Sequence, residues 1–281
     1  MRSTIEDVPC GTAEELLGNI SPRSPRYEPD PTKWIFRGHA EESWRLRPTG
    51  LRSSSVFVPY GFNEVTSSEE TFAEQKKILQ EFASRLEREG AELPVRSPIG
   101  TLGPRAVHGL STAVVHDPFA HFYPIIALAQ HCGLPTLFLD WTRRSKYAAY
   151  FAAAEGATNP GARSRIAILA HEPATQDPVG PLSYLTAPGA TNPNLQAQSG
   201  LFTYLIGKTY GLEEYLSEGN PAGKFVRFLL PRSEAPKLLR LVAEEGVSGA
   251  TMYPGPQGVL KAMKEKALMD RQIPHIWGVS V

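Results

Sequence analysis

The strongest constraint on the fold is an uninterrupted succession of a strand, a helix and a strand in the middle of the chain. The apolar run TLFLDWT leads directly into RRSKYAAYFAAAEG, whose small and aromatic residues suit a buried helix, and RIAILAH follows as another apolar strand. Further apolar runs, LFTYLIG, KFVRFLLP and HIWGVSV, predict more strands, whereas SEAPKLLRLVAEEG and PQGVLKAMKEKALMD predict helices. Because helices separate some strands and hairpins join others, the order predicts an α+β protein.

Two more helices are predicted from their ends. In SSEETFAEQKKILQEFASRLEREG, Ser67 and Glu70 have the spacing of a capping box and Gly90 supplies a stop. A second helix is predicted to start at Asp117 and to run through HFYPIIALAQHCG.

The 25 prolines and 24 glycines predict many loops between short elements. The prolines of SPRSPRYEPDP favour extended backbone, so residues 1–32 are predicted to form an arm outside the core. Residues 33–281 are then a single compact domain, in which 91–116 and 171–197 are two long loops.

The charge balance excludes a bulk polyelectrolyte binder. The 29 basic and 29 acidic residues cancel, so any nucleic-acid contact must be local. The two cysteines have neither the number nor the spacing of a disulfide framework, and they favour a reducing compartment. The start MRSTIEDVPC does not resemble a signal peptide and no apolar run is long enough to span a bilayer, so we expect a cytoplasmic protein that does not contact the membrane.

Motifs for several common chemistries are missing. The histidines lack the helical spacing of a zinc site, so we expect no metal. There is no G-x-S-x-G elbow, G-x-G-x-x-G turn or P-loop, which disfavours an α/β-hydrolase and the standard nucleotide-binding folds.

Several blocks of the chain resemble a known family. IFRGH followed by WRLRPTGLR, then AQHCGLPTLFLDWTRRSKYAAYFA, LQAQSGLFTY and GVSGATMYPGPQGVLKAM, resemble in order the signature blocks of the FRG domain family of bacteria and phages. The resemblance spans about 33–264. The family is named for its Phe-Arg-Gly motif, and membership implies a name more than a mechanism.

The order of these motifs is also similar to that of ADP-ribosyltransferases. That resemblance implies a small split sheet, mixed or antiparallel, flanked by helices, with NAD as substrate. In those enzymes a first-strand arginine holds the dinucleotide, a Ser or Thr supports it, and a glutamate after a long loop assists catalysis. The matching positions here are Arg37, Thr142 and Gln198, with Asp140 as the nearest alternative carboxylate.

The residue types fit these roles to different degrees. The planar fork of Arg37 suits a pyrophosphate, and Gly38 beside it allows close backbone approach; the alternative for Arg37 is a structural ion pair with Asp140. Gln198 accepts a hydrogen bond from a ribose hydroxyl but supplies no negative charge. Its alternative role is to close a loop by bonding to backbone near Gly200.

The remaining candidates surround the strand TLFLDWT. Asp140 orients Arg37 or His131, or else caps the helix that begins near Arg143. Trp141 stacks on nicotinamide or adenine, or fills the core. Together with Arg37, Gly38 and Thr142, the candidate cofactor-binding residues are His131, Trp141 and Tyr150; helix-end capping by His131 and packing by Tyr150 are the alternatives.

Two functional hypotheses follow. The first is an NAD-consuming ADP-ribosyltransferase whose macromolecular target, protein or nucleic acid, is held by the long loops; it fits a bacterial toxin or phage-defence effector with an antitoxin or immunity partner. The second is a non-catalytic nucleotide-sensing or protein-interaction module that uses the same cleft. A third hypothesis is nucleic-acid binding through Arg143, Arg144, Lys146, Arg163 and Arg165. It ranks below the other two, because such charge more often forms a solvated face.

Overall fold

The computed structural model describes residues 5–91, 123–161, 163–173, 181–185, 197–220 and 222–270. The predicted helix start at Asp117, the predicted strand HIWGVSV, nearly all of the loop 91–116 and much of the loop 171–197 lie outside these ranges.

The described residues form a mixed sheet of seven strands. They are β1 (Ile5–Pro9), β2 (Ile35–His39), β3 (Leu139–Thr142), β4 (Arg165–Pro173), β5 (Leu182–Leu185), β6 (Gly200–Leu205) and β7 (Gly223–Pro231). Their order is β1-β7-β4-β2-β3-β6-β5. β1 and β7 run parallel, and the other neighbours are antiparallel.

The α-helices whose bounds lie within the described residues are α1 (Ala13–Asn19), α2 (Ser68–Arg88), α3 (Tyr123–His131), α4 (Ser145–Gly156), α5 (Leu212–Ser217), α6 (Ala235–Glu244), α7 (Gly249–Met252) and α8 (Pro256–Asp270). The α+β class and the central succession β3, α4, β4 are therefore confirmed. The capping box of α2 is present, since the side chains of Ser67 and Glu70 each accept a hydrogen bond from the other's main chain.

The sheet has two groups of strands that meet at one register pair. β2 pairs with β4 along five positions and β3 pairs with β6 along four. Between β2 and β3, however, the described register contains a single pair, Phe36 with Thr142. Residues of both strands next to this pair, Arg37, Asp140 and Thr142 among them, line the candidate site.

The prediction of an N-terminal arm over residues 1–32 is wrong for the described part of that range. β1 pairs with β7 along five positions, and Leu16, Ile20 and Tyr27 are at most 1% exposed. The prolines do not extend the chain here, because Pro25–Tyr27 and Pro31–Lys33 form short 3-10 turns that fold it back onto the core.

The loop predicted over 171–197 is also interrupted by regular structure. β4 extends to Pro173, and Leu182–Leu185 forms the edge strand β5, which pairs with β6. Four residues are too few for a clear apolar alternation, so the sequence pattern did not reveal this strand.

Helix α4 lies unusually close to the sheet. Ala148, Ala149, Ala152 and Ala153 are fully buried, and a Cβ atom at Gly38 would lie 2.1 Å from the main-chain oxygen of Ala148. Gly38 thus serves the close approach of a helix backbone to β2. The small residues of RRSKYAAYFAAAEG permit that contact, and the contact fixes the position of α4 next to the site.

Candidate functional site

A cavity of about 580 Å³ lies where β2 meets β3. Of the eight site residues predicted from the sequence, seven line it: Arg37, Gly38, His131, Asp140, Trp141, Thr142 and Gln198. These residues come from β2, α3, β3 and the segment before β6, so the fold brings together positions that are up to 161 residues apart.

Arg37 is anchored on two sides. Its Nη1 donates to the main-chain oxygen of Asp140 at 2.6 Å and lies 3.2 Å from Asp140 Oδ2. Its Nε donates to His39 Nε2 at 2.9 Å. Nη2 makes no hydrogen bond with any described residue. The predicted ion pair therefore exists, and it leaves part of the guanidinium available to a ligand in the cavity.

His39 accepts the hydrogen bond from Arg37 as a neutral imidazole. A guanidinium can only donate, so Nε2 of the imidazole must be unprotonated. Burial and the charge of Arg37 lower the pKa of His39 to about 3, and the ring is 2% exposed. Sequence reasoning missed this residue, although its position two residues after Arg37 on one strand places both on the same face.

Asp140 is held by its neighbours. Its Oδ1 accepts from Gln130 Nε2, and its Oδ2 pairs with Arg37. Enclosure in the cleft raises the pKa of the Asp140 carboxyl, but the charge of Arg37 and hydrogen bonds from Arg37 and the main chain outweigh that effect, so the pKa lies below its ordinary value. The side chain faces the cavity and is 61% exposed.

Asp140 does not cap α4. The N-cap position of the helix is Arg144, which makes no side-chain cap. Thr142 Oγ1 instead accepts from the main-chain nitrogen of Arg144 at 3.1 Å. The same hydroxyl donates to the main-chain oxygen of Gln198 at 2.7 Å, so Thr142 ties the start of α4 to the segment before β6.

Gln198 is bonded to the main chain, but not near Gly200. Its Nε2 donates to the main-chain oxygen of Met252 at 3.1 Å, which joins this segment to α7. A carbonyl oxygen can only accept, so the amide orientation is fixed and Oε1 remains for another donor. The next residue, Ser199, has a φ of 47°, a left-handed conformation that is uncommon outside glycine.

Residues 32–160 match the FRG domain. The match supports the resemblance to the FRG family that the motif blocks indicate. The matched residues include Arg37, His39 and Asp140. Gln198 and the helices α7 and α8 lie beyond the matched residues. Comparison with curated proteins and with solved structures gave no significant match.

Two predicted residues, Trp141 and Tyr150, have surroundings that bear on their assigned roles. Trp141, in the FRG match, is 3% exposed and donates from Nε1 to Thr203 Oγ1 at 2.8 Å, so it fills the core at the edge of the cavity. Tyr150 is outside the cavity lining, is 2% exposed and donates to Glu265 Oε1 at 2.6 Å. The structure thus favours packing for both residues over stacking on a cofactor.

His131 lies on the cavity wall near an aromatic side chain. The centroids of its ring and of the Tyr253 ring are 6.3 Å apart. Burial and the nearby charge of Lys261 lower the pKa of His131 below its ordinary value. The imidazole is therefore mostly neutral at pH 7, which permits either donation or acceptance of a hydrogen bond.

Several charged residues of the cavity were missed by sequence reasoning. In addition to Arg37, the basic residues Arg52 and Lys261 line the cavity. In addition to Asp140, the acidic residue Glu155 lines it. Lys261 Nζ lies 4.5 Å from the centroid of the Tyr253 ring. The motif blocks WRLRPTGLR and GVSGATMYPGPQGVLKAM contain Arg52 and Lys261, but only the folded chain places them beside Arg37.

The described residues contain no group of three or more His, Cys, Asp and Glu side chains arranged to hold a metal ion. No helix among them is both long and apolar enough to cross a membrane.

Proposed function

We propose that the cavity binds NAD and that the protein transfers ADP-ribose from it to a macromolecular target. The observation that carries this proposal is the convergence of Arg37, Asp140, Thr142 and Gln198 on one cavity. Its volume, about 580 Å³, is within the range of cavities that bind small molecules of nucleotide size.

Arg37 is the proposed anchor for the pyrophosphate. Bonds to His39 and Asp140 fix the guanidinium before a ligand arrives, so little side-chain entropy is lost on binding. Its free Nη2 donates to phosphate oxygens. A charge-assisted hydrogen bond of this kind is about twice as strong as a neutral one.

The reaction breaks the bond between the nicotinamide nitrogen and C1′ of the ribose. The electron pair of that bond leaves with nicotinamide, and positive charge develops on C1′ and the ring oxygen, as in other glycosidic cleavages. A nucleophilic atom of the target then bonds to C1′ and gives its proton to a base. The protein must stabilise the developing cation and exclude water.

Glu155 is the proposed carboxylate for that cation. Gln198 is uncharged, and Asp140 is engaged by Arg37 and Gln130. Glu155 lines the cavity, and its carboxylate makes no hydrogen bond or ion pair with any described residue. It is therefore free to face the positive charge that develops in the transition state. In this scheme Oε1 of Gln198 accepts from a ribose hydroxyl.

The test is transfer of label from NAD. Purified protein is incubated with NAD labelled in the adenylate part and with a bacterial protein extract or nucleic acids, and free nicotinamide is measured in parallel. We expect both signals from the wild type and their loss in Arg37→Ala. Arg45→Ala is the control, because Arg45 is 64% exposed and pairs with Glu213 and Glu214 away from the cavity. Equal activity of wild type and Arg37→Ala would refute the assigned role.

A toxin or defence role is a further part of the proposal. If transfer to a cellular target stops growth, induced expression of the wild type arrests cells and expression of Arg37→Ala does not. Arrest by both proteins would show that growth inhibition does not depend on Arg37 in the cavity. An antitoxin or immunity partner would be recovered as a gene product that relieves the arrest.

The amide at position 198 favours a second candidate function, nucleotide binding without turnover. In that case NAD stabilises the protein and is not consumed. A ligand at a hundred times its dissociation constant adds about 2.7 kcal/mol to the free energy of unfolding, which a thermal-shift measurement detects. Stabilisation without nicotinamide release would support this second function over the first.

A further inference from the structure

The segment 47–52 carries a second arginine to the cavity. Gly50 donates from its main-chain nitrogen to the main-chain oxygen of Thr136 at 2.8 Å, and a Cβ atom at Gly50 would lie 3.0 Å from that oxygen. Arg47 Nε donates to the main-chain oxygen of Leu51. These contacts hold the segment against Thr136, which lies just before β3, and Thr49 and Arg52 form part of the cavity wall.

Arg52 is weakly engaged by the protein. Its Nε donates to the main-chain oxygen of Arg47 at 3.4 Å, a long hydrogen bond. Its Nη1 and Nη2 make no hydrogen bond or ion pair with any described residue. The terminal N–H groups of Arg52 and the Nη2 group of Arg37 are therefore both available within the same cavity.

Arg37 and Arg52 line the same cavity, where their positive charges oppose each other. Burial and the charge of Arg37 lower the pKa of Arg52, and the charge of Asp140 opposes this effect. Asp140 acts on the charge of both arginines, but it accepts hydrogen bonds from Arg37 alone of the two. The cavity is lined by three basic residues, Arg37, Arg52 and Lys261, and by two acidic ones, Asp140 and Glu155, so its charge favours an anionic ligand.

We propose that Arg37 and Arg52 together bind two adjacent phosphate groups, so that the cavity selects ligands with a diphosphate bridge over ligands with one phosphate. Arg52 presents parallel N–H groups on Nη1 and Nη2 that match a pair of phosphate oxygens, and Arg37 presents the N–H groups of Nη2. A diphosphate diester has four non-bridging oxygens on two phosphorus atoms, which gives each arginine its own phosphate. The proposal rests on the proposed function, because it specifies how the cavity would recognise NAD.

The experiment measures binding of defined phosphate compounds by calorimetry at low ionic strength. The probes are ADP-ribose and inorganic pyrophosphate, against AMP and inorganic phosphate. We expect the wild type to bind each diphosphate at least tenfold more tightly than its single-phosphate counterpart. Arg52→Gln loses this preference and keeps weak binding of AMP, Arg37→Gln loses binding of all four, and Arg45→Gln behaves as the wild type.

Two results would overturn the inference: equal affinity of the wild type for ADP-ribose and AMP, or an unchanged preference in Arg52→Gln. The test is separable from that of NAD turnover. A diphosphate preference without consumption of NAD would refute the transferase alone. Turnover of NAD with an unchanged KM in Arg52→Gln would refute the role of Arg52 alone. Arg52→Lys keeps the charge without the fork and is expected to retain only part of the preference.

Discussion

Arg37 of β2 bonds to the main-chain oxygen of Asp140 at 2.6 Å, beside the register pair of Phe36 and Thr142 that joins the two groups of strands. The arginine therefore links β2 and β3 next to the single register pair that joins these two strands. Its bond replaces main-chain pairing with a side-chain contact, and the cavity opens next to that contact. The group proposed to hold the ligand also holds the sheet together at this point.

Replacing Arg37 is expected to affect both binding and stability. Arg37→Lys keeps the charge but loses the bond from Nε to His39, so we expect at least a tenfold loss in affinity for ADP-ribose. The free energy of unfolding should fall by about 1 to 3 kcal/mol, because buried His39 loses its donor. Calorimetry and urea unfolding measure the two effects. Arg45→Lys serves as the matched control, and an unchanged affinity in Arg37→Lys would contradict the anchoring role.

Gln198→Glu tests whether the site works with an amide at position 198 or would gain activity from a carboxylate there. A carboxylate at this position would face the main-chain oxygen of Met252, and both groups only accept hydrogen bonds. We expect a loss of about 1 to 3 kcal/mol in the free energy of unfolding and no gain in nicotinamide release. The loss should be smaller at pH 5 than at pH 8, because a protonated carboxyl can donate to Met252. Higher activity in Gln198→Glu would place the catalytic carboxylate at 198 and exclude our assignment of Glu155.

Gly38→Ala tests whether Gly38 is needed for the close packing of α4 on β2. A methyl group at this position would meet the main-chain oxygen of Ala148 at 2.1 Å and the main-chain nitrogen of Ala152 at 2.8 Å. Neither can move without shifting α4, so Gly38→Ala is expected to lower the free energy of unfolding by about 3 kcal/mol or more. Gly18→Ala is the control, because a Cβ atom there meets nothing within 4 Å and helical alanine gains about 0.5 to 1 kcal/mol. Thermal or urea unfolding decides; equal stability of Gly38→Ala and wild type would contradict the packing.

The parts of the site that the sequence predicted are those with a local signal. Arg37 is a charged residue in an apolar strand, and Asp140 and Thr142 end another strand just before a helix. Arg52 had no such signal, because only the contact of Gly50 with Thr136 brings it to the cavity. Lys261 and Glu155 lie on helices whose cavity face depends on how those helices pack.

The same reasoning explains the error at the N-terminus. The predicted arm rests on the local preference of proline for extended backbone. The structure of residues 5–27 is decided by contacts distant in sequence, since Val8 pairs with Phe228 and Ala13 donates to the side chain of Glu234. No local pattern contains such pairings. The longest predicted helix succeeded for the opposite reason: both its capping box and its apolar spacing are local.

Tyr150 tests whether a predicted cofactor-binding residue acts through packing. Its hydroxyl donates to Glu265, which also accepts from the main-chain nitrogen of Gly249 at 2.8 Å. Tyr150→Phe removes one donor from a carboxylate that is 6% exposed, so the free energy of unfolding should fall by about 1 to 3 kcal/mol. The affinity for ADP-ribose should stay within a factor of two, since Tyr150 does not line the cavity. A tenfold loss of affinity at unchanged stability would restore the cofactor-binding role.

Two buried histidines predict how stability depends on pH. Burial lowers the pKa of His171 to about 3, and burial together with Arg37 lowers that of His39 to about 3. His171 lies 2.6 Å from the Tyr184 hydroxyl and 3.1 Å from the main-chain oxygen of Lys224, while Arg37, Arg52 and Asp140 are the charges near His39. In the unfolded chain both imidazoles take up a proton near pH 6.5.

The unfolded state therefore binds more protons than the folded state between about pH 6.5 and pH 3, and the free energy of unfolding falls as the pH falls through this window. Each histidine contributes up to about 1.4 kcal/mol per pH unit. Between pH 5 and 6.5 most carboxyls are still ionised, so urea unfolding in that interval reports mainly the histidines. His39→Gln retains an acceptor for Arg37 and cannot titrate, and its slope should be smaller by up to one proton. Equal slopes in wild type and His39→Gln would show that the imidazole of His39 is not held neutral by its burial beside Arg37.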